Sequence, residues 1–174
     1  MLFRSDMTPE MINRARENAD KGSYSNVQFV PGELEDLPVD DNSMDAVISN
    51  CVINLVPDKK KVFKEVFRVL KPGGRLMVSD LVLRQKLPLS IENSIEGYVG
   101  CISGAVMKDV YLDAIGSAGF GDVEVIEESP FSLDFFVSDS TDQAIDQSPK
   151  MSAEEVNGFA DSVSSIKVRA IKPR

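Results

Sequence analysis

Short apolar runs separated by turn residues alternate along this chain with segments of helical periodicity. The runs at 27–30, 46–48 and 76–82 have the length and the β-branched content of strands. Between the last two, residues 58–70 place apolar side chains on one face and charged side chains on the other, the pattern of an amphipathic helix. This recurrent order of strand, helix and strand predicts a mostly parallel α/β sheet with helices on both faces.

A further helix is predicted near the start of the chain. The apolar pair at 2–3 is typical of the end of a strand, and Thr8 and Pro9 suit the N-cap and the first position of the helix that follows. Gly22 suits its end. The helix is expected to bury the apolar side chains of one face: Met11, Ile12, Ala15 and Ala19.

The C-terminal part of the chain predicts a helix and two strands. Residues 110–118 form the helix, and residues 121–127 and 166–170 alternate apolar and polar side chains like the members of an antiparallel pair. Residues 138–150 are polar and acidic, and we expect a surface excursion there. Because no repeat and no linker divides two cores, residues 1–174 are expected to form a single domain.

The stretch from Met44 to Val56 organises these elements. Its apolar run, 46–48, is expected to be a strand buried on both faces, as in parallel sheets. A polar tip of Ser49, Asn50 and Cys51 follows. In open α/β sheets ligands bind beyond the carboxyl ends of the strands, so this tip is a candidate site.

Charge and hydropathy exclude several classes of function. No apolar run approaches the roughly 20 residues that span a bilayer, and we expect a cytoplasmic protein. A net charge of -9 without a basic stripe argues against nucleic acid or an anionic membrane surface as partner. The one lysine cluster is expected to be the solvated face of a helix: Lys59, Lys60, Lys61 and Lys64.

The chain contains no histidine and two cysteines. The absence of histidine excludes Ser-His-Asp and Cys-His nucleophiles and the common zinc sites. Cys51 lies at the polar tip and Cys101 in the glycine-rich stretch GYVGCISGA. We expect thiols here, not a disulfide, because nothing indicates secretion, and our hypothesis is that the fold brings the two sulfurs together.

Three motifs, in this order and spacing, resemble those of class I S-adenosylmethionine-dependent methyltransferases: SDMTPEMINRARENA, GELEDLPVDDNSMDAVISN and VFKEVFRVLKPGGRLMVSD. The resemblance extends over essentially the whole chain. Within that class, SNCVINL, GYVGCISGA and SSIKVRAIKP resemble arsenite methyltransferases. The resemblance implies a Rossmann-like methyltransferase fold with an antiparallel C-terminal strand pair, and a role in arsenic detoxification.

The resemblance also implies a binding site for S-adenosylmethionine. Asp6 would accept hydrogen bonds from the ribose hydroxyls, and Met7 would lie against the adenine. Glu33 and the backbone of Leu34 would face the adenine amino edge, and Asn50 the methionine part. An ionised carboxylate such as Asp6 has the lone pairs to accept from two neighbouring hydroxyls.

The substrate implied by the resemblance is thiol-bound arsenite, a small molecule. Cys51 and Cys101 would be the thiolates that hold trivalent arsenic, and methyl transfer to its lone pair would follow. Because thiolate binding requires deprotonation, arsenic affinity is expected to rise with pH until the thiols are ionised.

The chain departs from this family at its start. The strand and glycine-rich loop that precede the Asp6 strand in such methyltransferases are absent, so we expect a single, incomplete domain that is truncated at the N-terminus and binds the cofactor weakly or not at all. The missing central strand leaves backbone groups unpaired. One of three repairs is expected: direct pairing across the gap, a strand donated by a second chain in a homodimer, or detachment of residues 1–30 from the sheet.

Other interpretations remain open at this point. The chain could be a remnant that binds arsenite or a partner chain without the cofactor, or a methyltransferase of other small molecules with incidental cysteines. Cys51 could be a buried structural thiol, and Cys101 could merely permit close packing. Asp6 could be only a helix cap and Glu33 a solvated turn residue. We expect Asp80, at a strand end, to be structural.

Overall fold

The computed structural model describes residues 2–87, 102, 104–130 and 162–174. Cys101 and the polar stretch 138–150 lie outside these residues. No helix within them is long and apolar enough to cross a membrane. Their elements in chain order are β1 (Leu2–Asp6), α1 (Pro9–Lys21), β2 (Val27–Pro31), β3 (Met44–Asn50), a 3-10 turn (Ile53–Leu55), α2 (Lys59–Val69), β4 (Leu70–Leu83), α3 (Lys108–Ser117), β5 (Gly121–Pro130) and β6 (Val163–Ile171).

The described strands form two hydrogen-bonded sheets. β1 pairs with β2 in parallel, and a four-stranded sheet has the order β3-β4-β6-β5. In that sheet β3 and β4 are parallel, whereas β6 is antiparallel to both of its neighbours. The expected antiparallel pair at the C-terminus is therefore confirmed, and it makes the sheet mixed.

β1 and β3 belong to different sheets, so direct pairing across the expected gap is wrong. Among the described residues, the outer edges of β1 and β3 carry no strand partner. The hydrogen bonding of residues 2–31 is thus separate from that of the four-stranded sheet.

Two helices cover one face of the four-stranded sheet. The periodicity of α2 buries Val62, Phe63 and Val66 against it, and α3 contributes Tyr111, whose ring meets that of Phe63 edge-on at 5.4 Å between centroids. Each such side chain contributes roughly 1.5–3 kcal/mol by leaving water. The sheet supplies the other side of this core with alternate residues of its central strands: Leu76, Val78, Val82, Ile166, Val168 and Ala170.

The expectation that β3 is buried on both faces is wrong. The side chain of Ile48 is 80% exposed and Ala46 is also exposed. Among the described strands β3 lies at the edge of its sheet, and the face that carries Ala46 and Ile48 is exposed. An apolar run indicates that a strand can be buried, but the neighbouring elements decide which of its faces they cover.

The start and end of α1 are confirmed, with Thr8 as N-cap, Pro9 in the first turn and Gly22 at the C-cap. The predicted burial of Met11 is wrong, since 53% of its side chain is exposed. α1 buries a narrow stripe that includes Ile12 and Ala19. Met11 lies one position from that stripe, about 100° around the helix.

The prediction that Lys59 lies on a solvated helix face is also wrong. Only 6% of this residue is exposed, whereas Lys60, Lys61 and Lys64 are exposed as expected. Lys59 is the first residue of α2, and its Nζ donates to the carbonyl of Val56 at 3.2 Å. Its position at the helix start, beside the strand tips, removes it from solvent.

Lys172 ties the end of the chain to the end of α2. Its Nζ donates to the carbonyls of Phe67 at 2.7 Å and Leu70 at 2.8 Å and to Asn42 Oδ1 at 2.8 Å. It also lies 4.5 Å from the centroid of the Phe67 ring. The last carbonyls of a helix lack intrahelical partners and carry partial negative charge, which this buried ammonium satisfies.

We therefore expect Lys172→Met to lower the free energy of unfolding by about 3 kcal/mol, because it leaves buried carbonyls without their charged donor. Urea denaturation measures this change. The control is Lys167→Met, which removes a 2.7 Å ion pair with Glu127 between exposed side chains and should cost less than about 1 kcal/mol. Equal losses in the two variants would contradict this role of Lys172.

Candidate functional site

The first cluster of predicted site residues lies where β1 and β2 end. Asp6 is the last residue of β1, and its Oδ1 accepts from the Thr8 N–H at 2.8 Å. The Gly32 N–H donates to the Asp6 carbonyl at 3.1 Å, so the chain that leaves β2 passes directly beside Asp6. Glu33 follows and is exposed. The structure therefore brings the two predicted carboxylates to one edge of the parallel pair.

The turn after β2 is tightly built. A Cβ on Gly32 would lie 2.5 Å from Cδ of Pro38, closer than any side chain tolerates. A bridge between Glu33 and Asp36 closes the turn, and Leu34 packs against the core of the four-stranded sheet. Leu34 thus anchors the predicted adenine-binding turn. Met7, at the other side of the cluster, is 74% exposed and available to a ligand.

Arg68 of α2 holds the remainder of this loop. Its guanidinium donates to the carbonyls of Leu37 at 3.0 Å and Val39 at 2.9 Å, and pairs with Glu65 at 2.6 Å and with Asp41. The Leu37 N–H donates to Glu65 Oε1 at 2.8 Å. The hydrogen bond from Arg68 lowers the pKa of Glu65, and burial works in the opposite direction. The network fixes the segment after Glu33 to α2.

The second cluster lies at the tip of β3. Asn50 is the last residue of this strand and is exposed, and Cys51 follows in the left-handed region with φ +58°. The Cys51 N–H donates to the carbonyl of Ser79 on β4 at 2.8 Å. A non-glycine residue in this region costs of order 1 kcal/mol, and such residues concentrate at functional sites. The backbone of Cys51 is therefore held in an unfavourable conformation directly after β3.

Beneath Cys51 lies a polar side chain that the sequence analysis missed. Asn54 is 1% exposed, and its Nδ2 donates to the Leu81 carbonyl at 2.7 Å. Among the described residues its Oδ1 has no hydrogen-bond partner. The sequence did contain a signal for Asn54, which is the one amide side chain inside the apolar run VINLV. An amide that is buried with such a run requires hydrogen-bond partners.

Asp80 of β4 lies on the helix-covered side of this tip. It is 2% exposed, and its Oδ2 accepts from the Tyr111 hydroxyl at 2.6 Å. Burial raises the pKa of Asp80 to about 6, against the effects of the Tyr111 hydrogen bond and the Lys59 charge. Oδ1 of Asp80 has no hydrogen-bond partner among the described residues.

Tyr111 and Lys59 are the two groups whose hydrogen bond and charge act on Asp80. Burial is the main cause that raises the pKa of Tyr111, and the charges of Asp80 and of a Cys51 thiolate add to it. Burial lowers the pKa of Lys59, and the charge of Asp80 opposes that change. The sequence analysis did not single out Tyr111 and assigned Lys59 to a solvated face, because their helical positions are also those of ordinary core and surface residues.

Gly104 brings a further segment to the same place. A Cβ on Gly104 would lie 1.7 Å from the carbonyl oxygen of Asn54, so the two backbones are in direct contact. Asn54 follows Cys51 by three residues, and Gly104 follows Cys101 by three. Covalent geometry limits each of these separations to about 11 Å. Cys101 itself lies outside the described residues.

The predicted site residues thus fall into two groups. Asp6 and Met7 lie with Glu33 and Leu34 at the first cluster, whereas Asn50 and Cys51 lie together at the second. Within the described ranges, no three acidic or cysteine side chains are grouped so as to hold a metal ion.

Comparisons with known proteins place this geometry in a family. The family model described as a methyltransferase domain matches residues 5–119. An arsenite methyltransferase of Halobacterium salinarum is 46% identical over 120 residues, which are 69% of this chain and 31% of that protein. The chain thus spans about a third of the length of that curated relative.

Solved structures agree with the match. An arsenic(III) S-adenosylmethionine methyltransferase from Chlamydomonas reinhardtii superposes with a TM-score of 0.76 at 30% identity, covering 98% of this chain and 55% of that chain. Phosphoethanolamine N-methyltransferase 2 of Haemonchus contortus, solved with S-adenosylmethionine, shares the fold alone, with a TM-score of 0.72 at 18% identity and coverages of 99% and 43%. The expected Rossmann-like methyltransferase fold is confirmed, and the chain belongs to the methyltransferase domain family, with similarity to arsenite methyltransferases.

Proposed function

We propose that this chain contains the cofactor-binding and arsenic-binding residues of an S-adenosylmethionine-dependent arsenite methyltransferase, with Cys51 and Cys101 as the arsenic ligands. The observation that carries the proposal is the contact of Gly104 with the Asn54 carbonyl. It joins the segment after Cys51 to the segment after Cys101. Similarity to arsenite methyltransferases supports the same substrate.

Thiolates suit trivalent arsenic because soft sulfur ligands select soft, thiophilic centres. Each As–S bond would form as a cysteine sulfur displaces a hydroxyl group of arsenous acid, and the thiol proton leaves with that hydroxyl as water. Two protein sulfurs leave the third position to water, hydroxide or a small thiol. The arsenic is then pyramidal, and its lone pair points away from its three ligands.

The first cluster has the donor set that a nucleoside requires. A carboxylate has about four acceptor positions, and the Thr8 N–H uses one of those of Asp6, so acceptors remain for two ribose hydroxyls. Met7 offers an exposed apolar side chain to the adenine face, and Glu33 an exposed carboxylate to its amino edge. Asn50, at the second cluster, would meet the methionine part. Bound S-adenosylmethionine would supply an electrophilic methyl group.

Asp80 has a structural part in this proposal. A lone pair on arsenic accepts a methyl group without losing a proton, so no general base is needed. The hydrogen bond from Tyr111 to Asp80 joins α3 to β4 below Cys51. The protein contributes mainly by holding the reacting groups in place, which can be worth about 7–11 kcal/mol.

The arsenic site is tested with phenylarsenous acid, which has two exchangeable positions. We expect one equivalent to bind wild-type protein, and Cys51→Ser and Cys101→Ser each to abolish stoichiometric binding, since one sulfur cannot replace two. Isothermal titration calorimetry measures the stoichiometry. Equal binding by the wild type and both variants would return the cysteines to a structural role.

The cofactor site is tested by nuclear magnetic resonance titration with S-adenosylmethionine, a measurement that also detects weak binding. We expect shifts at the amides around Asp6 and Glu33, and an affinity about tenfold lower in Asp6→Asn because a charged acceptor is lost. Asp20→Asn, a substitution of an exposed carboxylate in α1, is the matched control. Unchanged affinity in Asp6→Asn would refute the assignment.

The buried carboxyl of Asp80 predicts a pH dependence of stability. Its folded pKa of about 6 exceeds the ordinary 3.8, so the folded state holds this proton more tightly. The contribution of the protonated Asp80 carboxyl to the free energy of unfolding is complete below about pH 4 and is lost as the pH rises through 6. Asp80→Asn, which keeps an acceptor for Tyr111, should therefore gain about 2 kcal/mol relative to wild type between pH 4 and 7.

Urea denaturation across this pH range measures the difference between variant and wild type. Asp113→Asn, which makes the same substitution on the exposed side of α3, is the control and is measured at the same pH values. A flat difference for Asp80→Asn would mean that the carboxyl titrates as it does in water.

A further inference from the structure

Three buried oxygen atoms near the tip of β3 have no hydrogen-bond partner within the part of the chain that the structure describes: Ser49 Oγ, Asn54 Oδ1 and Asp80 Oδ1. Asn54 and Asp80 are 1% and 2% exposed, so bulk solvent does not reach them. A buried polar atom without a partner costs free energy, and nearly all such atoms in native proteins are bonded. Three of them at one place indicate a guest that they share.

Sheet register brings Ser49 and Asp80 to the same face. Ser49 lies opposite Val78 in the parallel pairing of β3 with β4. Because side chains alternate along a strand, Asp80 lies on the same face as Val78, two residues earlier. Val78 belongs to the core under the helices, so this is the helix-covered face. Ser49 and Asp80 are therefore diagonal neighbours on it.

The hydrogen bonds of β4 bring the amide of Asn54 to the same place. Ser79 and Leu81 flank Asp80, and their carbonyls point the same way because alternate carbonyls of a strand share a direction. The Ser79 carbonyl accepts from the Cys51 N–H at 2.8 Å, and the Leu81 carbonyl accepts from Asn54 Nδ2 at 2.7 Å. The Asn54 amide thus takes the next place along this ladder, beside Asp80.

The three atoms require a guest with both donors and an acceptor. Burial raises the pKa of Asp80 to about 6, so near neutral pH its carboxylate only accepts, as does Asn54 Oδ1. The Ser49 hydroxyl can donate. A water molecule donates to the two acceptors and accepts from that hydroxyl, which gives it about three hydrogen bonds, the usual number for buried water.

The charges around this place favour a neutral guest. Lys59 is 6% exposed, and its positive charge acts on Asp80. The two charges offset each other, so an added ammonium or metal ion would leave a net charge in the interior. Such a charge is costly to bury without a partner.

We propose that Ser49 Oγ, Asn54 Oδ1 and Asp80 Oδ1 together bind one buried water molecule, which joins β3, the 3-10 turn and β4. Cys51 lies between Ser49 and Asn54 in the chain. The water therefore fixes the backbone on both sides of Cys51, and Ser49 and Asn54 are positioning residues for it. This inference does not depend on the arsenic chemistry, because it rests on the hydrogen-bonding groups alone.

A high-resolution crystal structure of the wild-type chain tests the site directly. We expect one ordered water within hydrogen-bonding distance of all three oxygen atoms. Electron density without a water at this position, or with a protein group in its place, would overturn the inference.

The identity of the guest is tested by urea denaturation of wild type and Ser49→Ala in sodium, ammonium and choline chloride at one ionic strength. We expect the difference between the two urea midpoints to be the same in the three salts, because water is present in each. A larger difference in sodium or ammonium chloride than in choline chloride would overturn the inference, since a small cation would then occupy the site.

Amide hydrogen exchange tests whether the water positions Cys51. Ser49→Ala removes one partner of the water, so we expect the Cys51 amide to exchange about tenfold faster than in wild type. The amide of Lys172, which donates to the Gly74 carbonyl at 2.9 Å, reports on the rest of the sheet and should not change.

Ser79→Ala is the matched control, because the Ser79 side chain lies on the opposite face from that of Val78. It removes a hydroxyl close to Cys51 without touching the water and should leave both amides unchanged. An unchanged Cys51 amide in Ser49→Ala would overturn the positioning role. So would equal acceleration of the Cys51 and Lys172 amides, or an equal effect of Ser79→Ala.

Discussion

The parallel pairing of β3 with β4 is the constraint on which the rest of the site depends. It aligns Asn50, the last residue of β3, with Ser79, and the Cys51 N–H extends the ladder by one bond to the Ser79 carbonyl, while β4 continues to Leu83. That bond fixes the backbone of Cys51, whose φ of +58° lies in the left-handed region that non-glycine residues uncommonly adopt. The position of the thiol is therefore a consequence of sheet register.

Below this tip the core contains more polar groups than packing alone would require. Asp80 and Lys59 are buried, with Tyr111 and Asn54 beside them, and the desolvation of each charge opposes folding. The bond between Tyr111 and Asp80 and the attraction between Lys59 and Asp80 offset part of that cost. An all-apolar core would be simpler to stabilise, so the cluster is best understood as support for the strand tips, where exact placement has value.

Much of the fold follows from local patterns. The apolar stripe of α2 and the alternation of β6 correspond to their packing because each pattern matches the period of its own element. The exposure of Ile48 and the burial of Lys59 do not follow, since both depend on which neighbours cover a face or a helix start. The same division holds for the site. Cys51 was identified from its place after a strand, whereas the contact made by Gly104 involves residues fifty positions apart and leaves no local trace.

The two groups of site residues lie on separately hydrogen-bonded sheets, and methyl transfer would have to join them. The loop from Gly32 to Asn42 makes that connection. Its position is fixed by α2, where Arg68 donates hydrogen bonds to the carbonyls of Leu37 and Val39. Leu34 adds an apolar anchor to the same core that supports the Cys51 tip. α2 also begins at Lys59, whose Nζ donates to the Val56 carbonyl, so one helix contacts the chain segments that follow both groups. Within the described residues, α2 thus relates the turn proposed to bind the cofactor to the strand tip proposed to bind arsenic.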